Sequence, residues 1–421
     1  MDDIEKELRR SEDSDEASVH SNTSVSSRKS KLPLVNVDNS EDISYGSRFR
    51  HSTRICLERI REAMLHHRWQ EAAEYMVFYP QKLEGSEIEY RQNRELIWRI
   101  SIELLHHMPN SKLEDYNNIH ERMKHLGVKI YLKVSLEQSF HLMLCGQIEE
   151  AKQLLAIGES WRYGKESASQ HQTAKLIQAY RSLLDYVIWC DKKFTLDDTD
   201  DDSVTYQDMH SYFRQASVHL KEIFKNPGVW DPFIVSYVEM LEFYDDHEEA
   251  LKILNDYAYD DTFPPNPNAH VFLYQYLKRR GASDKKLTKV LKILRTLVPS
   301  HEFMLEYSSL LLKSEKKGDI KKALGIVMDM LDFACWRKEL EVWRSLNDII
   351  GKLNSGLNWK DILSETVEPR KDWWPALHFT SFHAAQDSKE NPELMKLKAP
   401  VAKIFCPDLA SKYIAAETKL R

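Results

Sequence analysis

The chain has 421 residues, of which 30% are charged and 42% hydrophobic, with a formal net charge of −7. Only 12 glycines and 14 prolines interrupt it, too few for the frequent turns of a β-sandwich, so an all-α body is predicted. The acidic N-terminus is unlike a signal peptide, and no apolar run reaches the ~18 residues of a membrane span. We therefore expect a soluble protein of the cytosol or nucleus that makes no membrane contact.

Residues 1–48 differ in composition from the rest of the chain. They contain RRSEDSDEASVHSNTSVSSRKSK, which is rich in serine and acid and holds almost no large apolar residue. They carry 11 acidic and 7 basic residues, a net of −4, which leaves −3 of the total of −7 for residues 49–421. Such a segment buries too little apolar surface to offset the entropy of ordering. We predict a disordered acidic tail followed by a body of nearly balanced charge.

Four short motifs along the body share one pattern, in which a turn residue and further polar residues precede an alanine. They are HRWQEA (67–72), GQIEEA (146–151), DDHEEA (245–250) and GDIKKA (318–323). The alanines are 79, 99 and 73 residues apart, each close to two or three helix-turn-helix repeats of ~34 to 40 residues. We predict that residues 49–388 form a tetratricopeptide-like helical-repeat solenoid and that residues 389–421 form a separate, divergent C-terminal segment.

The stretch GVWDPFIVSYVEMLEFYDDHEEALKIL (228–254) predicts one such hairpin in detail. Asp231 is the predicted N-cap, because its carboxylate can accept from first-turn amides, and Pro232 suits the first helical position. The apolar residues that follow have helical spacing on one face, at Ile234, Tyr237, Val238 and Leu241. After the break at DDH, a second helix is predicted, and its small Ala250 would let the two backbones approach closely.

No pattern indicates catalysis or metal binding. The histidine pairs at 66–67 and 106–107 would point in different directions on a helix, and no His-Glu-x-x-His spacing occurs. His383 and Asp387 in SFHAAQD lack a glycine-rich or strained turn to hold a substrate, so we interpret them as surface charge. The five cysteines form no C-x-x-C pair and are interpreted as reduced core residues. We expect a non-enzymatic chain with no cofactor and no metal.

Residues 278–297, KRRGASDKKLTKVLKILRTL, form a strongly basic stretch with one acid, Asp284. Its eight cations, which we call the basic ridge, are Lys278, Arg279, Arg280, Lys285, Lys286, Lys289, Lys292 and Arg295. One predicted helical face is apolar, with Leu287, Val290, Leu291, Leu294 and Leu297. The opposite face aligns Lys285, Lys289 and Lys292, with Lys286 beside them. Because lysine contacts to phosphates release counterions, the ridge is a candidate contact for DNA or an acidic partner. The alternative is a solvated helix face.

Two adjacent tryptophans, Trp373 and Trp374, precede Pro375 in RKDWWPALHFTSFHA (370–384), near the predicted end of the body. Tryptophan and arginine dominate the energetics of protein interfaces. If the pair is exposed, it is a candidate anchor for a protein partner. The alternative is that the pair covers the apolar end of the last repeat.

Several stretches resemble the A-subunit family of the TATA-box-binding-protein-associated factors of RNA polymerase I. They are RWQEAAEYM, ERMKHLGVKIYLKVSL, ESWRYG, GVWDPF with YVEMLEFY, FPPNPNAH, VLKILRTLVPSHEFMLE and RKDWWPALHF. The resemblance runs from about residue 54 to 384. Residues 389–421 show no such resemblance and lack the basic end that the family implies.

The resemblance implies a non-catalytic subunit of the promoter selectivity factor in the nucleus and nucleolus. Members of the family assemble with TATA-box-binding protein and other associated factors at the ribosomal RNA gene core promoter, where they support pre-initiation complex formation. No single residue's role carries over, so the basic ridge and the tryptophan pair are inferred from the residues alone. The alternative is a tetratricopeptide-like adaptor scaffold in a cytosolic protein complex.

Overall fold

The computed structural model describes residues 45–83, 87–126, 130–162, 167–196, 203–314, 316–354, 359–407 and 413. All regular secondary structure in these ranges is helical, which confirms the predicted all-α class. Within the same ranges, no helix combines the length and the apolar character needed to cross a membrane. The chain divides into two compact units, residues 1–223 and 224–421.

In the first unit, each helix packs against the next one in the chain. Its helices are α1 (Tyr45–Leu65), α2 (Trp69–Leu83), α3 (Glu87–His107), α4 (Leu113–Leu126), α5 (Tyr131–Leu144), α6 (Ile148–Ser160), α7 (Ala168–Leu196) and α8 (Ser203–Ile223). In addition, α5 contacts α7. One apolar cluster surrounds Ile60 and Trp98, and a second surrounds Leu155 and Ile177. Packing between neighbours thus buries one face of each helix.

The second unit continues the same pattern from α9 to α15. Its elements are α9 (Asp231–Phe243), α10 (His247–Ala258), α11 (Pro267–Arg279), α12 (Asp284–Leu297), α13 (Phe303–Leu312), α14 (Lys317–Leu331), η1 (Ala334–Trp336), α15 (Leu340–Asn354), α16 (Trp359–Val367), η2 (Glu368–Arg370), α17 (Trp374–His378), α18 (Ser381–Glu390) and α19 (Pro392–Phe405). Near the C-terminal end, α19 packs against both α15 and α18. Such nearest-neighbour packing is typical of helical repeats, whereas the repeat type stays a prediction.

Four turns between consecutive helices have the same backbone geometry. Each contains one residue with positive φ, namely His67 (56°), Gly146 (77°), Asp245 (59°) and Gly281 (64°). In the third turn, the Asp245 amide donates to Glu242 O at 3.2 Å and the Asp246 amide donates to Leu241 O at 2.9 Å. In each of the other three turns, the amide of the positive-φ residue donates to the carbonyl three residues earlier. The amide of the next residue donates to the carbonyl five residues before itself. This is the Schellman motif, which satisfies the free carbonyls at a helix end.

Three of the four predicted turn motifs coincide with these Schellman turns. The first residue of each motif adopts the positive φ, and the alanine five residues later is fully buried, at Ala72, Ala151 and Ala250. Ala323 of the fourth motif is buried as well, but α14 already begins at Lys317. The recurring pattern therefore marks a helix end followed by close approach of the next helix.

Replacing Asp245 with glycine is expected to stabilise the chain by about 0.5–1 kcal/mol, because glycine adopts positive φ without a Cβ penalty. The substitution also removes a contact of 3.5 Å between the Asp245 carboxylate and His247 Nε2, but the Asp245 side chain is 93% exposed, so this pair contributes little. Gly281→Ala is the matched reverse change, since a Cβ there meets none of the described atoms within 4 Å and only the backbone is strained. It should destabilise by about 1 kcal/mol. Urea unfolding measures both; the same sign for the two variants would contradict the assignment.

The predicted hairpin at 228–254 is confirmed as α9 and α10, which pack together. All four residues of its predicted first face are buried: Ile234, Tyr237, Val238 and Leu241. The predicted N-cap is wrong. Trp230 occupies the N-cap position, and Asp231 is the first residue of α9, followed by Pro232.

The carboxylate of Asp231 instead connects three helices. Its Oδ1 accepts from the Tyr257 hydroxyl and from Asn266 Nδ2, both at 2.6 Å. Its Oδ2 accepts from Asn268 Nδ2 at 2.7 Å, while the Tyr257 hydroxyl accepts from the Trp230 amide at 2.8 Å. Burial, and then the hydrogen bond to Asp231, raise the pKa of Tyr257, so the hydroxyl keeps its proton. The unusual stretches GVWDPF and FPPNPNAH therefore meet at one carboxylate.

Two further predictions concern the segment boundaries and the cysteines. The predicted tail lies outside the described residues except for its last four, which begin α1, and the predicted boundary at residue 388 falls within α18. The division into segments stays a prediction. Cys406 is buried, but Cys145 and Cys335 are exposed. The interpretation of all five cysteines as core residues is therefore wrong for these two.

Candidate nucleic-acid and partner interface

The basic ridge lies on α12 and on the end of α11. One face of α12 is buried, at Leu287, Val290, Leu291 and Leu294. Leu297, which the spacing also assigned to this face, is only partly buried. The exposed lysines of the opposite face are Lys285, Lys286, Lys289 and Lys292. The amphipathic helix is thus confirmed, while its contact with DNA stays a prediction.

Three cations of the basic ridge form ion pairs with other helices of the second unit. The pairs are Lys278 with Glu306 (2.7 Å), Arg279 with Glu242 (2.9 Å) and Arg295 with Asp329 (2.7 Å). They connect α11 to α13, α11 to α9 and α12 to α14. Exposed pairs of this kind contribute only about 0–1 kcal/mol each. Their charge is nevertheless neutralised locally, so these three cations are poor candidates for phosphate contact.

The other five cations of the basic ridge are exposed: Arg280, Lys285, Lys286, Lys289 and Lys292. Within the described part of the chain, none of the five takes part in a salt bridge. Lys289 Nζ lies 5.7 Å from the ring centre of Tyr259, within the range of a cation–π contact. From Lys285 to Lys292 the helix rises about 10 Å. Duplex DNA carries about six phosphate charges over that length.

Arg295 also belongs to a chain of alternating charges that connects α12 to α14, η2 and α17. Asp329 accepts from Arg295 at 2.7 Å and from Arg370 at 2.9 Å. Arg370 also donates to Asp332 at 2.7 and 2.8 Å. Burial alone would lower the pKa of Arg370, but the hydrogen bonds and charges of Asp332 and Asp329 raise it. The chain ends at Trp374, whose Nε1 donates to Asp332 Oδ1 at 3.0 Å.

The two adjacent tryptophans have different environments. Trp374 is 1% exposed, and its ring stacks on Phe405 with centroids 5.4 Å apart. It also contacts the ring of Trp343 at 6.1 Å. Trp374 is therefore a core residue, and its prediction as a surface anchor is wrong. Trp373 is 41% exposed, and its Nε1 donates to Pro369 O at 3.3 Å, so the candidate anchor reduces to this residue.

A buried charge cluster, which the sequence did not reveal, lies at the C-terminal end of the second unit. Asp387 is 1% exposed and accepts from Lys398 Nζ at 2.8 Å, from the Tyr413 hydroxyl at 3.0 Å and from Arg337 Nη1 at 3.2 Å. Burial lowers the pKa of Lys398 to about 8, although the hydrogen bond and the negative charge of Asp387 act to raise it. The interpretation of Asp387 as surface charge is wrong. The only signal in the sequence was that Asp387 follows Ala384 by three residues, which places both on one face of a helix. Ala384 is buried in the structure.

Comparison with known proteins shows the family of the chain. A model of the A-subunit family of "TAF RNA Polymerase I" matches residues 62–418. The chain belongs to this family. The resemblance inferred from the sequence motifs is thereby confirmed. The match also includes most of the segment after residue 388, where the motifs indicated no resemblance.

Two mammalian relatives bear the family's name. The human protein, named as the A subunit of "TATA box-binding protein-associated factor RNA polymerase I", is 44% identical over 361 residues, which are 84% of this chain and 80% of that protein. The mouse protein of the same name is 42% identical over 362 residues, or 85% and 80% of the two chains. This member of the TAF RNA Polymerase I family is therefore similar to both relatives over most of its length.

Among solved structures, a "Circular tandem repeat protein with novel repeat topology and enhanced subunit contact surfaces" matches at 13% identity. The match covers 89% of this chain and 77% of that chain, with a TM-score of 0.13. A score this low says nothing about the fold of this TAF RNA Polymerase I family member.

Proposed function

We propose that the chain is a non-catalytic subunit of the RNA polymerase I promoter selectivity factor. It assembles with TATA-box-binding protein and other associated factors at the ribosomal RNA gene core promoter, in the nucleus and nucleolus. There it supports formation of the pre-initiation complex. The observation that carries the proposal is the family match over residues 62–418, together with the names of the human and mouse relatives.

The helices supply a rigid scaffold for protein partners in this proposal. Trp373 projects from the short segment between η2 and α17, and the buried Trp374 beside it fixes that segment to the core. A large aromatic side chain held on a rigid support loses little conformational freedom when it is buried against a partner. Trp373 is therefore the first candidate for a contact with another component of the factor.

The basic ridge supplies a second, electrostatic contact. Its five exposed cations bind phosphates without reading bases, because lysine contacts to the DNA backbone carry no sequence information. Sequence selection is then left to other subunits of the factor or to the shape of the promoter DNA. The ridge adds affinity that weakens as the salt concentration rises.

Purification of the tagged full-length chain from nuclear extract at moderate salt tests the assembly. We expect TATA-box-binding protein and other polymerase I factors to co-purify with it. Their absence, while circular dichroism shows a folded helical chain, would contradict the proposal. Imaging of the tagged chain distinguishes the proposed function from the alternative. A polymerase I factor should give nucleolar foci, whereas an adaptor scaffold in a cytosolic complex should give diffuse cytosolic signal.

Charge reversal tests the DNA contact separately. Changing Lys285, Lys286, Lys289 and Lys292 to glutamate is expected to weaken binding of the assembled factor to promoter DNA. If each lysine contacts one phosphate, the slope of log K against log salt concentration becomes less steep by about three to four. Filter binding or fluorescence anisotropy at several salt concentrations measures this slope.

A control with the same change in net charge reverses exposed lysines elsewhere in the second unit, at Lys313, Lys389, Lys396 and Lys403. It should leave the slope nearly unchanged if the effect is local to the ridge. Equal slopes for the ridge variant and the unsubstituted factor would exclude the ridge as a DNA contact. The assembly itself would still stand if the partners co-purify.

A further inference from the structure

Two histidines and a glutamate converge between α4 and α5 in the first unit. They are His120 on α4 and Glu137 and His141 on α5. One ligand atom from each of the three lies within 4.8 Å of the other two. Glu137 and His141 are four residues apart, so they occupy the same face of α5. Imidazole nitrogens and a carboxylate oxygen are ligands that Zn²⁺ accepts in proteins.

His120 is already oriented as a metal-binding histidine would be. Its ring is fully buried, and Nδ1–H donates to the backbone carbonyl of Tyr116 at 2.7 Å. Nε2 is buried too and has no hydrogen-bond partner among the described residues. A buried polar atom without a partner is unfavourable, and metal-binding histidines commonly donate their second ring N–H to a carbonyl in this way.

The charges around the cluster are locally balanced. Arg99 on α3 is ion-paired with Glu137, and Lys124 contacts Glu121 at 2.8 Å. His141 is half-buried, and the centre of its ring lies 5.3 Å from the centre of the His120 ring. The guanidinium of Arg99 contacts Oε2 of Glu137, which leaves Oε1 as the carboxylate oxygen for a divalent cation.

We propose that His120, Glu137 and His141 bind one Zn²⁺ ion, with water as the fourth ligand. His120 contributes Nε2, because its Nδ1–H is engaged by the carbonyl. In a tetrahedral site with bonds of about 2.0–2.2 Å, the ligand atoms lie about 3.3–3.5 Å apart. The three residues offer ligand atoms within 4.8 Å of one another, so binding requires them to move together by up to about 1.5 Å. The ion connects α4 to α5 and satisfies the buried Nε2.

This site contrasts with the expectation, from sequence, of a chain without metal. That expectation considered neighbouring histidines and one-helix motifs, whereas these ligands come from two helices and are 17 and 21 residues apart in the chain. The Glu-x-x-x-His spacing on α5 was the only local signal. Its partner His120 becomes apparent only after α4 packs against α5.

Calorimetric titration of the chelator-treated full-length chain with Zn²⁺ alone tests the site. We expect saturable binding with one tight site per chain. Loss of outer-shell partners alone weakens metal affinity about 10–100-fold. Removing a ligand should therefore weaken it at least about tenfold. His141→Gln and Glu137→Gln are the two variants, and neither removes the fully buried His120.

The matched control is His125→Gln, which removes an exposed histidine from α4 outside the cluster. It should keep the affinity of the unsubstituted chain. Circular dichroism checks that each variant is folded, and two ligand variants keep the test valid if one of them misfolds. Zinc affinity that is equal in the unsubstituted chain and in a folded ligand variant would overturn the proposal, as would the absence of saturable binding.

Discussion

Replacing Asp387 with alanine is expected to lower the free energy of unfolding by about 3–5 kcal/mol. The carboxylate is the shared partner of Arg337 and Lys398, both of which are buried, and of the Tyr413 hydroxyl. Without it, two cations are left in the interior with no counter-charge. Breaking a buried pair in this way is far more damaging than its net contribution to stability would suggest.

Urea unfolding followed by circular dichroism measures the loss. Glu390→Gln is the control on the same helix, because Glu390 pairs with Lys338 at 2.7 Å while both side chains are about half exposed. It should lower stability by less than about 1 kcal/mol. Similar losses for the two variants would show that Asp387 is not the centre of a buried network.

The loss at Asp387 is expected to become smaller as the pH rises from 6 to 9. The pKa of Lys398 is about 8 in the folded chain, against an ordinary value of 10.5. Between these values the unfolded chain binds more protons at Lys398, so this residue's contribution to stability increases with pH. Removing Asp387 lowers the pKa of Lys398 in the folded chain further, so the stability of Asp387→Ala begins to increase at a lower pH. Above pH 8 Lys398 is largely neutral in both folded chains. The difference in unfolding free energy between the unsubstituted chain and Asp387→Ala is therefore smaller there than at pH 6.

The adjacent tryptophans are expected to differ strongly when each is replaced with alanine. Trp374→Ala should cost about 3–5 kcal/mol, because it empties a buried site beside Trp343 and Phe405 and leaves Asp332 without its indole donor. Trp373→Ala should cost less than about 1 kcal/mol, since that side chain is 41% exposed. Thermal and urea unfolding measure both changes.

A binding measurement completes the comparison of the tryptophans. If Trp373 is a partner anchor, Trp373→Ala weakens assembly by about 2 kcal/mol, or roughly thirtyfold, without unfolding the chain. Equal destabilisation by the two substitutions would contradict the separation of core and surface. If the factor assembles normally with Trp373→Ala, the contact with the partner lies on another surface of the chain.

Local pattern was sufficient to predict the all-α class, the hairpin of α9 and α10, and the buried faces of α9 and α12. The four apolar residues of α9 and the division of α12 into basic and apolar faces followed from a period of 3.6 residues alone. Three turn motifs were recognised because helix ends require a specific backbone conformation and a small residue at the following contact. These features depend on residues within one or two turns of each other, where sequence and geometry are directly linked.

The polar interior could not be predicted in this way. Asp231 and Asp387 both appeared to be local features, a helix cap and a surface charge, but their partners lie 26 to 37 and 11 to 50 residues away. The choice between Trp373 and Trp374 depended on the position of Phe405, in a helix for which the motifs gave no resemblance. Whether a polar residue is buried is decided by tertiary packing, which no short window of sequence contains.

The chain of alternating charges from Arg295 to Trp374 has a consequence for binding under the proposed function. It places the lysines of α12 and the indole of Trp373 on one continuous support, so the distance between them is set by the fold. When DNA and a protein partner are themselves held together, the second contact forms at an effective concentration on the order of millimolar. Two individually weak contacts would then bind DNA and the protein partner together with high affinity. Loosening this support would lower that joint affinity without altering the residues of either contact.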